Sequence, residues 1–421
     1  MRPPPSSSMP SVQPAFAAGE GVAKVELAAS HVRRVNPWTD LATLDADLAS
    51  LTPGIFSEAQ VAVLGLDNHR ARFQAARLLM AAKVPYVDIA SLASGWQARV
   101  TVCDPAGVAT GDPQAPRSCL LCCWGPGSLA RAGEDVGLPC AGFSEEQAYT
   151  SSLTMGQRAA TLGAREALAL AGAIDLRPSV GCEIRDDMAA MRIGRFAVPA
   201  DEEGCAGHHA LACPDLQQLD LEPSQLRLGA LARACGIDPA DSIVLASREL
   251  AELAMCVACL SPGYPYRRTE RRLACCRHCG GEMVPVRRTR RLRWGAAAEQ
   301  VGELPASEWF DPGDRFAVVG KRGTRAFAFP APPLEWRSGK PWNAEEGALR
   351  FERLPGAYHL ERIRRTRLAI VGVGHVGAAV LQQIAPLPWA GLLLVDRDRF
   401  QAKNAPAYPL VTTPEAKEMR P

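Results

Sequence analysis

The stretch "RLAIVGVGHVGAAVLQQIAPLPWAGLLLVDRD", Arg367 to Asp398, constrains the fold more than any other part of the chain. It opens with a short unbroken apolar run, the pattern of a strand buried on both faces. Gly372, Gly374 and Gly377 follow in G-x-G-x-x-G spacing, and a second apolar run ends at Asp396. The spacing has a physical cause. The first glycine permits a tight turn, the second lets the backbone approach a phosphate, and the third lets helix and strand pack closely. Asp396, 19 residues after Gly377, stands where an acidic side chain reaches ribose hydroxyls. Strand, turn, helix and strand are expected, with a nucleotide at the carboxyl edge of a parallel sheet. The same turn can also serve packing alone, and the fingerprint does not separate NAD from ATP. A sheet opened this way needs further strands, and few residues remain after Asp398.

The amino-terminal part offers them. In "GVAKVELAASHVRRVNP", Val25, Ala28, Val32 and Val35 fall on one helical face, which predicts an amphipathic helix ending before Pro37. "AQVAVLGLDN" reads as a buried strand over 59–66 that delivers Asp67 and Asn68 at its carboxyl end. A helix through "RARFQAARLLMAAK", strands in "VPYVDIAS" and "QARVTVCDP", and a long helix in "SSLTMGQRAATLGAREALALAG" follow. Four regions are expected: a Pro/Ser-rich tail over 1–20, the later part of an α/β domain over 21–215, an accessory domain over 216–355, and the glycine-fingerprint part over 356–421.

The combined motifs resemble the ThiF and MoeB family, bacterial relatives of ubiquitin-activating enzymes. Family order runs from glycine fingerprint to V-D-x-D strand end, an asparagine, a lysine at a helix start, D-N-x-x-x-R, C-x-x-C, a cysteine-bearing loop and a second C-x-x-C. This sequence has Gly372, Gly374 and Gly377, then Asp396 and Asp398, then Asn404, and resumes at its other end with Gly21 and Lys24. Asp67, Asn68 and Arg72 follow in "DNHRAR", then Cys119 and Cys122, Cys140 in "LPCAGF", and Cys205 with His208. The resemblance covers roughly 250 residues in two pieces of reversed order, so a circularly permuted Rossmann-like domain is expected. It implies use of ATP and Mg2+ to adenylate the C-terminal carboxylate of a ubiquitin-like or sulfur-carrier protein, or a peptide. Asp396 would bind ribose, the glycine turn, Lys24 and Asn404 the phosphates, and Asp67 magnesium. Some family members use a cysteine in the loop of Cys140 as a nucleophile, though nothing in "GLPCAGF" supplies an activating base. The family arginine three residues beyond Asn404 is Ala407 here, which puts turnover in doubt more than ATP binding. Taken singly, a lysine opening a helix is ordinarily solvated, and an aspartate ending a strand ordinarily caps the next helix.

The 14 cysteines lie in a chain without an apolar leader, many as C-x-x-C pairs, which favours metal ligation over disulfides. Cys119, Cys122, Cys205 and His208 form a C-x-x-C and C-x-x-H pair suited to tetrahedral zinc. Cys256 and Cys259 with Cys276 and Cys279 have zinc-ribbon spacing, and Cys275 offers an alternative register. Four protein ligands leave no open position, so both sites read as structural.

The accessory segment reads as β-rich, with a hairpin in "PGDRFAVVGKRGTRAFAFP" turning at 321–323. Ten arginines crowd 267–293 although the net charge is only +2. That admits a zinc-ribbon module gripping nucleic acid or an acidic protein, but few aromatics interleave the arginines, so nucleic acid is not favoured. An NAD-dependent oxidoreductase accounts for the glycines but not for "DNHRAR" or the first metal set. The carboxyl end "KEMRP" is not a diglycine, so a carrier would act in trans. A homodimer could restore the domain between chains. No stretch has membrane-spanning length, and a cytoplasmic location is expected.

Overall fold

The computed structural model describes residues 21–91, 96–105, 107, 118–124, 153–200, 205, 208, 216–246, 248–269, 273–351, 357–401 and 410. The tail 1–20, Cys140, Asn404 and Ala407 lie outside these residues.

Among the described residues the amino-terminal part contributes strands β1 (Asp40–Asp45), β2 (Val61–Leu64), β3 (Tyr86–Ser91), β4 (Gln97–Cys103), β5 (Cys182–Asp187) and β6 (Arg192–Ala197). The middle contributes β7 (Leu216–Gln218), β8 (Ser242–Leu245), β9 (Leu250–Cys256), β10 (Pro262–Gly263), β11 (Arg267–Arg268), β12 (Met283–Thr289), β13 (Arg291–Arg293), β14 (Arg315–Gly320) and β15 (Gly323–Ala328). The carboxyl part contributes β16 (Arg367–Val371) and β17 (Gly391–Asp396).

The large sheet has eight strands in the order β1-β17-β16-β2-β3-β4-β5-β6. It is parallel from β1 to β3 and antiparallel from β3 to β6, so only its first part has the parallel character expected. Strand β16 pairs directly with β2 within one chain, Leu368 opposite Val61 and Val371 opposite Leu64. The carboxyl strands therefore complete a sheet begun by the amino-terminal part.

Strand alternation builds a layer on each side. Val61, Val63, Leu368, Ile370, Leu392 and Leu394 join one core with helices Lys24–Val35, Leu153–Leu170 and His375–Ile384. Ala62, Leu64, Ala369, Val371, Leu393 and Val395 join a second core under helix His69–Ala82. Apolar residues at both phases of a strand make an unbroken hydrophobic run, which is why these strands were recognisable. In helix Lys24–Val35, Val25, Ala28 and Val32 are buried as the periodicity requires, and the helix stops before Pro37. Strand β1 has no strand signature in the sequence, because "DLATLD" neither alternates nor forms an unbroken apolar run. Strand β6 gives no hydrophobic signature either, being exposed along most of its length.

The middle segment forms a four-stranded sheet, in which β9 is flanked by β10, β11 and β12, and a five-stranded sheet, β13-β8-β14-β15-β7. The hairpin of β14 and β15 closes with Gly320 opposite Gly323. Trp309, Phe310, Phe316 and Phe329 pack its core. Helices Leu228–Ala234 and Trp294–Val301 accompany these strands. The chain then returns to the large sheet: Leu41 and Arg337 exchange backbone hydrogen bonds of 3.0 and 2.7 Å, and Trp336 packs on the second core. No described helix is long and apolar enough to cross a membrane.

Candidate functional site

The glycine turn follows β16 at the carboxyl edge of the parallel strands. Gly372 has φ +85°, a conformation that side chains rarely adopt. A Cβ at Gly377 would stand 1.9 Å from the Gly372 carbonyl oxygen, so the helix can approach the turn only without a side chain there. A Cβ on Gly374, by contrast, would meet nothing within 4 Å. Gly374 caps helix His375–Ile384 with no side-chain hydrogen bond, and the space beside it is open among the described residues. This cradle fits a phosphate.

Around it the structure assembles acidic groups with Lys24 and, 4.0 Å from Asp398, Arg397. Asp396 accepts hydrogen bonds from Val373 N and Asp398 N, both at 2.7 Å, and so braces the turn. Lys24, supplied by the other end of the sequence, bonds Asp398 Oδ2 at 2.8 Å, and its own amide donates to the Asp398 carbonyl at 3.0 Å. Burial disfavours the Lys24 charge, but Asp396, Asp398 and Asp67 together hold its pKa above the ordinary lysine value. Burial also raises the Asp396 carboxyl, opposed chiefly by Lys24. Lys24 thus sits within electrostatic reach of three carboxylates beside the glycine turn.

Asn68 and Arg72 play narrower parts. Asn68 Oδ1 accepts from Ala71 N at 2.8 Å as the cap of helix His69–Ala82, and its amide donates to Asp67 at 3.0 Å. The buried Arg72 guanidinium is committed to Asp88 and to the carbonyls of Leu66 and Ile89, propping up the loop that carries Asp67. Arg99 approaches the other Asp88 oxygen at 3.4 Å. The D-N-x-x-x-R motif thus positions Asp67 through its neighbours, a role spacing alone does not reveal.

Both expected ligand sets converge. In the first, Cys119, Cys122, Cys205 and His208 place their ligand atoms within 4.8 Å of one another. Cys119 Sγ lies 3.8 Å from Cys122 Sγ and 3.5 Å from Cys205 Sγ, and Cys122 Sγ lies 3.3 Å from His208 Nε2. Tetrahedral zinc with Zn–S bonds of about 2.3 Å requires S···S edges of about 3.8 Å. Each half is a turn: Cys122 N donates to Cys119 O and His208 N to Cys205 O, both at 3.0 Å. The neighbouring thiols Cys122 and Cys205 push the Cys119 thiol far up, so ionising it calls for a cation among the converging ligands.

The second set, Cys256, Cys259, Cys276 and Cys279, has sulfur separations of 3.4, 3.6 and 3.3 Å. Cys275 is exposed and outside it. Its two knuckles match. Leu260 and Gly280, each directly after a second cysteine, have φ of +56° and +74°. Cys256 N donates to Ser261 O at 3.1 Å and Cys276 N to Gly281 O at 2.8 Å. Ala258 N reaches Cys256 Sγ at 3.4 Å, as amides do toward a metal-bound thiolate. Hydrogen bonds from Ser261 lower the Cys259 thiol to about 6. Both sets have the ligand chemistry and spacing for zinc.

No family model matches this chain, and a search of curated proteins found no match.

Proposed function

We propose that the chain adenylates a carboxylate: it uses ATP to attach AMP to the C-terminus of a ubiquitin-like or sulfur-carrier protein, or of a peptide, acting in trans. On this reading its α/β part is a Rossmann-like domain of the ThiF/MoeB kind in circularly permuted order. The observation that supports it best is the meeting of Lys24 and Asp67, from one end of the sequence, with Asp396, Asp398 and the glycine turn from the other. A dehydrogenase has no need of that lysine and of three carboxylates around it.

The reaction joins a carboxylate oxygen to the α-phosphorus of ATP and releases pyrophosphate. Two anions must meet, so charge has to be screened and the reactants aligned. The helix amides beside Gly374 would hold phosphate oxygens, and Lys24, fixed by Asp398, would place its ammonium against them. Asp67, the exposed carboxylate of the three, would hold magnesium, whose charge screens the phosphates. Asp396 keeps the turn in shape. Both zinc sites have four protein ligands and would be structural.

The test is ATP–pyrophosphate exchange with candidate carrier proteins. Lys24→Ala and Asp67→Ala should each lower exchange by about a hundredfold or more, as loss of a charge-stabilising contact does. A folded, zinc-loaded sample that neither exchanges nor binds ATP by calorimetry refutes the proposal.

A further inference from the structure

On the flank of helix His69–Ala82 away from the sheet lies a cavity of about 140 Å³, walled on its other side by the middle segment. Arg70, Gln74 and Arg77 line it at helical spacing from one wall, and Arg288 and Arg290 from the other, with Glu249 as the acidic member. Arg248 also borders the cavity, but Asp311 at 2.6 Å and Asp314 at 3.5 Å answer its charge. The remaining arginines are poorly balanced. Glu249 pairs with Arg290 at 2.8 Å. Buried Arg77 finds only the carbonyls of Leu245 and Ala246. Arg70 and Arg288 have no ion-pair partner among the described residues, and the buried Arg290 Nε has no hydrogen-bond partner. Arg77 and Arg290 also sit over the same ring, Phe73, at 5.7 and 4.9 Å.

Gathering guanidinium groups around a partly dry space costs free energy unless an anion joins them. Burial first, then the neighbouring Arg290, holds the Arg77 pKa well below the arginine norm against the weaker pull of Glu249. The donors come from two opposed walls, which suits an anion with oxygens on several faces, and the space is smaller than the cavities that hold drug-sized ligands.

We propose that this cavity binds a phosphate-class oxyanion, either free phosphate or the phosphoryl group of a phosphomonoester. The anion would bridge helix His69–Ala82 and strand β12, tying the two parts of the molecule together. The inference does not depend on the proposed adenylation, because the cavity lies apart from Lys24 and the glycine turn.

Thermal-shift and calorimetric titration of the full, zinc-loaded chain with inorganic phosphate, O-phosphoserine and AMP tests it, against sodium chloride at equal ionic strength. Phosphate should raise the melting temperature beyond the chloride control. The exposed Arg288→Ala and the half-exposed Arg70→Ala should each weaken binding about tenfold, the scale of a charge-assisted hydrogen bond. Tighter binding of O-phosphoserine than of phosphate would assign the anion to a phosphomonoester, and the reverse to free phosphate. Equal shifts with phosphate and chloride, or undiminished binding in both arginine variants, would each overturn the proposal.

Discussion

Burial alone would drive Lys24 toward neutrality, yet the carboxylates of Asp396, Asp398 and Asp67 outweigh it and leave the ammonium more basic than usual. The same pairing acts on Asp396 in reverse: desolvation raises its carboxyl and Lys24 is the main force holding it down. Removing the ammonium should therefore raise the Asp396 pKa further. A carboxylate NMR titration of Lys24→Met should show that upward shift, and an unmoved titration would deny the coupling. The sign for stability is the opposite of the usual aspartate. Because the folded pKa lies above the unfolded value of about 3.9, the stabilising contribution of this group is complete below that value and is lost as pH rises through the folded pKa. Lys24→Met extends that window upward. The sequence disclosed these residues by type and spacing. It did not disclose that Asp396 braces the turn with both oxygens, or that Arg72 serves Asp88, because both depend on how neighbouring elements pack rather than on spacing.

At the scale of elements, the two C-x-x-C knuckles of the second set behave as repeated units. Each holds its second cysteine ahead of a left-handed residue and closes with a backbone hydrogen bond to the residue two beyond that cysteine. The cysteine spacing was legible because two intervening residues put both sulfurs of a tight turn on one side. Leu260 in a left-handed conformation was not legible, since no local propensity favours it. The arginine cavity was hidden for a related reason: Arg70 and Arg77 belong to one helix, Arg288 to strand β12 and Arg290 to the turn after it. The convergent ligand atoms predict about two zinc ions per chain by elemental analysis. Cys205→Ser and Cys276→Ser should each lower that to about one, and the double variant should hold none. A wild-type chain holding one zinc, with Cys205→Ser unchanged, would exclude the first site.

At the scale of the whole molecule, the proposed permutation makes a demand on connectivity. Strand β16 lies between β17 and β2, and β17 between β1 and β16, so strands of the amino-terminal part lose their neighbours without the carboxyl part. Where the two parts meet, the chain already runs nearly continuously in space. Gly21 N donates to Phe400 O at 3.0 Å, Phe400 N to Val22 O at 2.8 Å, and Ala23 bridges Arg399. Such adjacency lets the backbone be rejoined there without moving a strand. A chain reordered as residues 356–421 followed directly by 1–355 should accordingly fold with the same zinc content and melt within a few degrees of the natural order. Residues 21–215 alone should show no cooperative transition, because β1 and β2 would then flank a gap two strands wide in the middle of the sheet. The reordered chain tests topology apart from chemistry, since zinc content and melting do not depend on ATP. If it fails to fold while the natural order does, the middle segment is more than a connector: the returning contacts of Trp336 on the second core and of Arg337 on β1 would then have to form from a chain already tethered to β16.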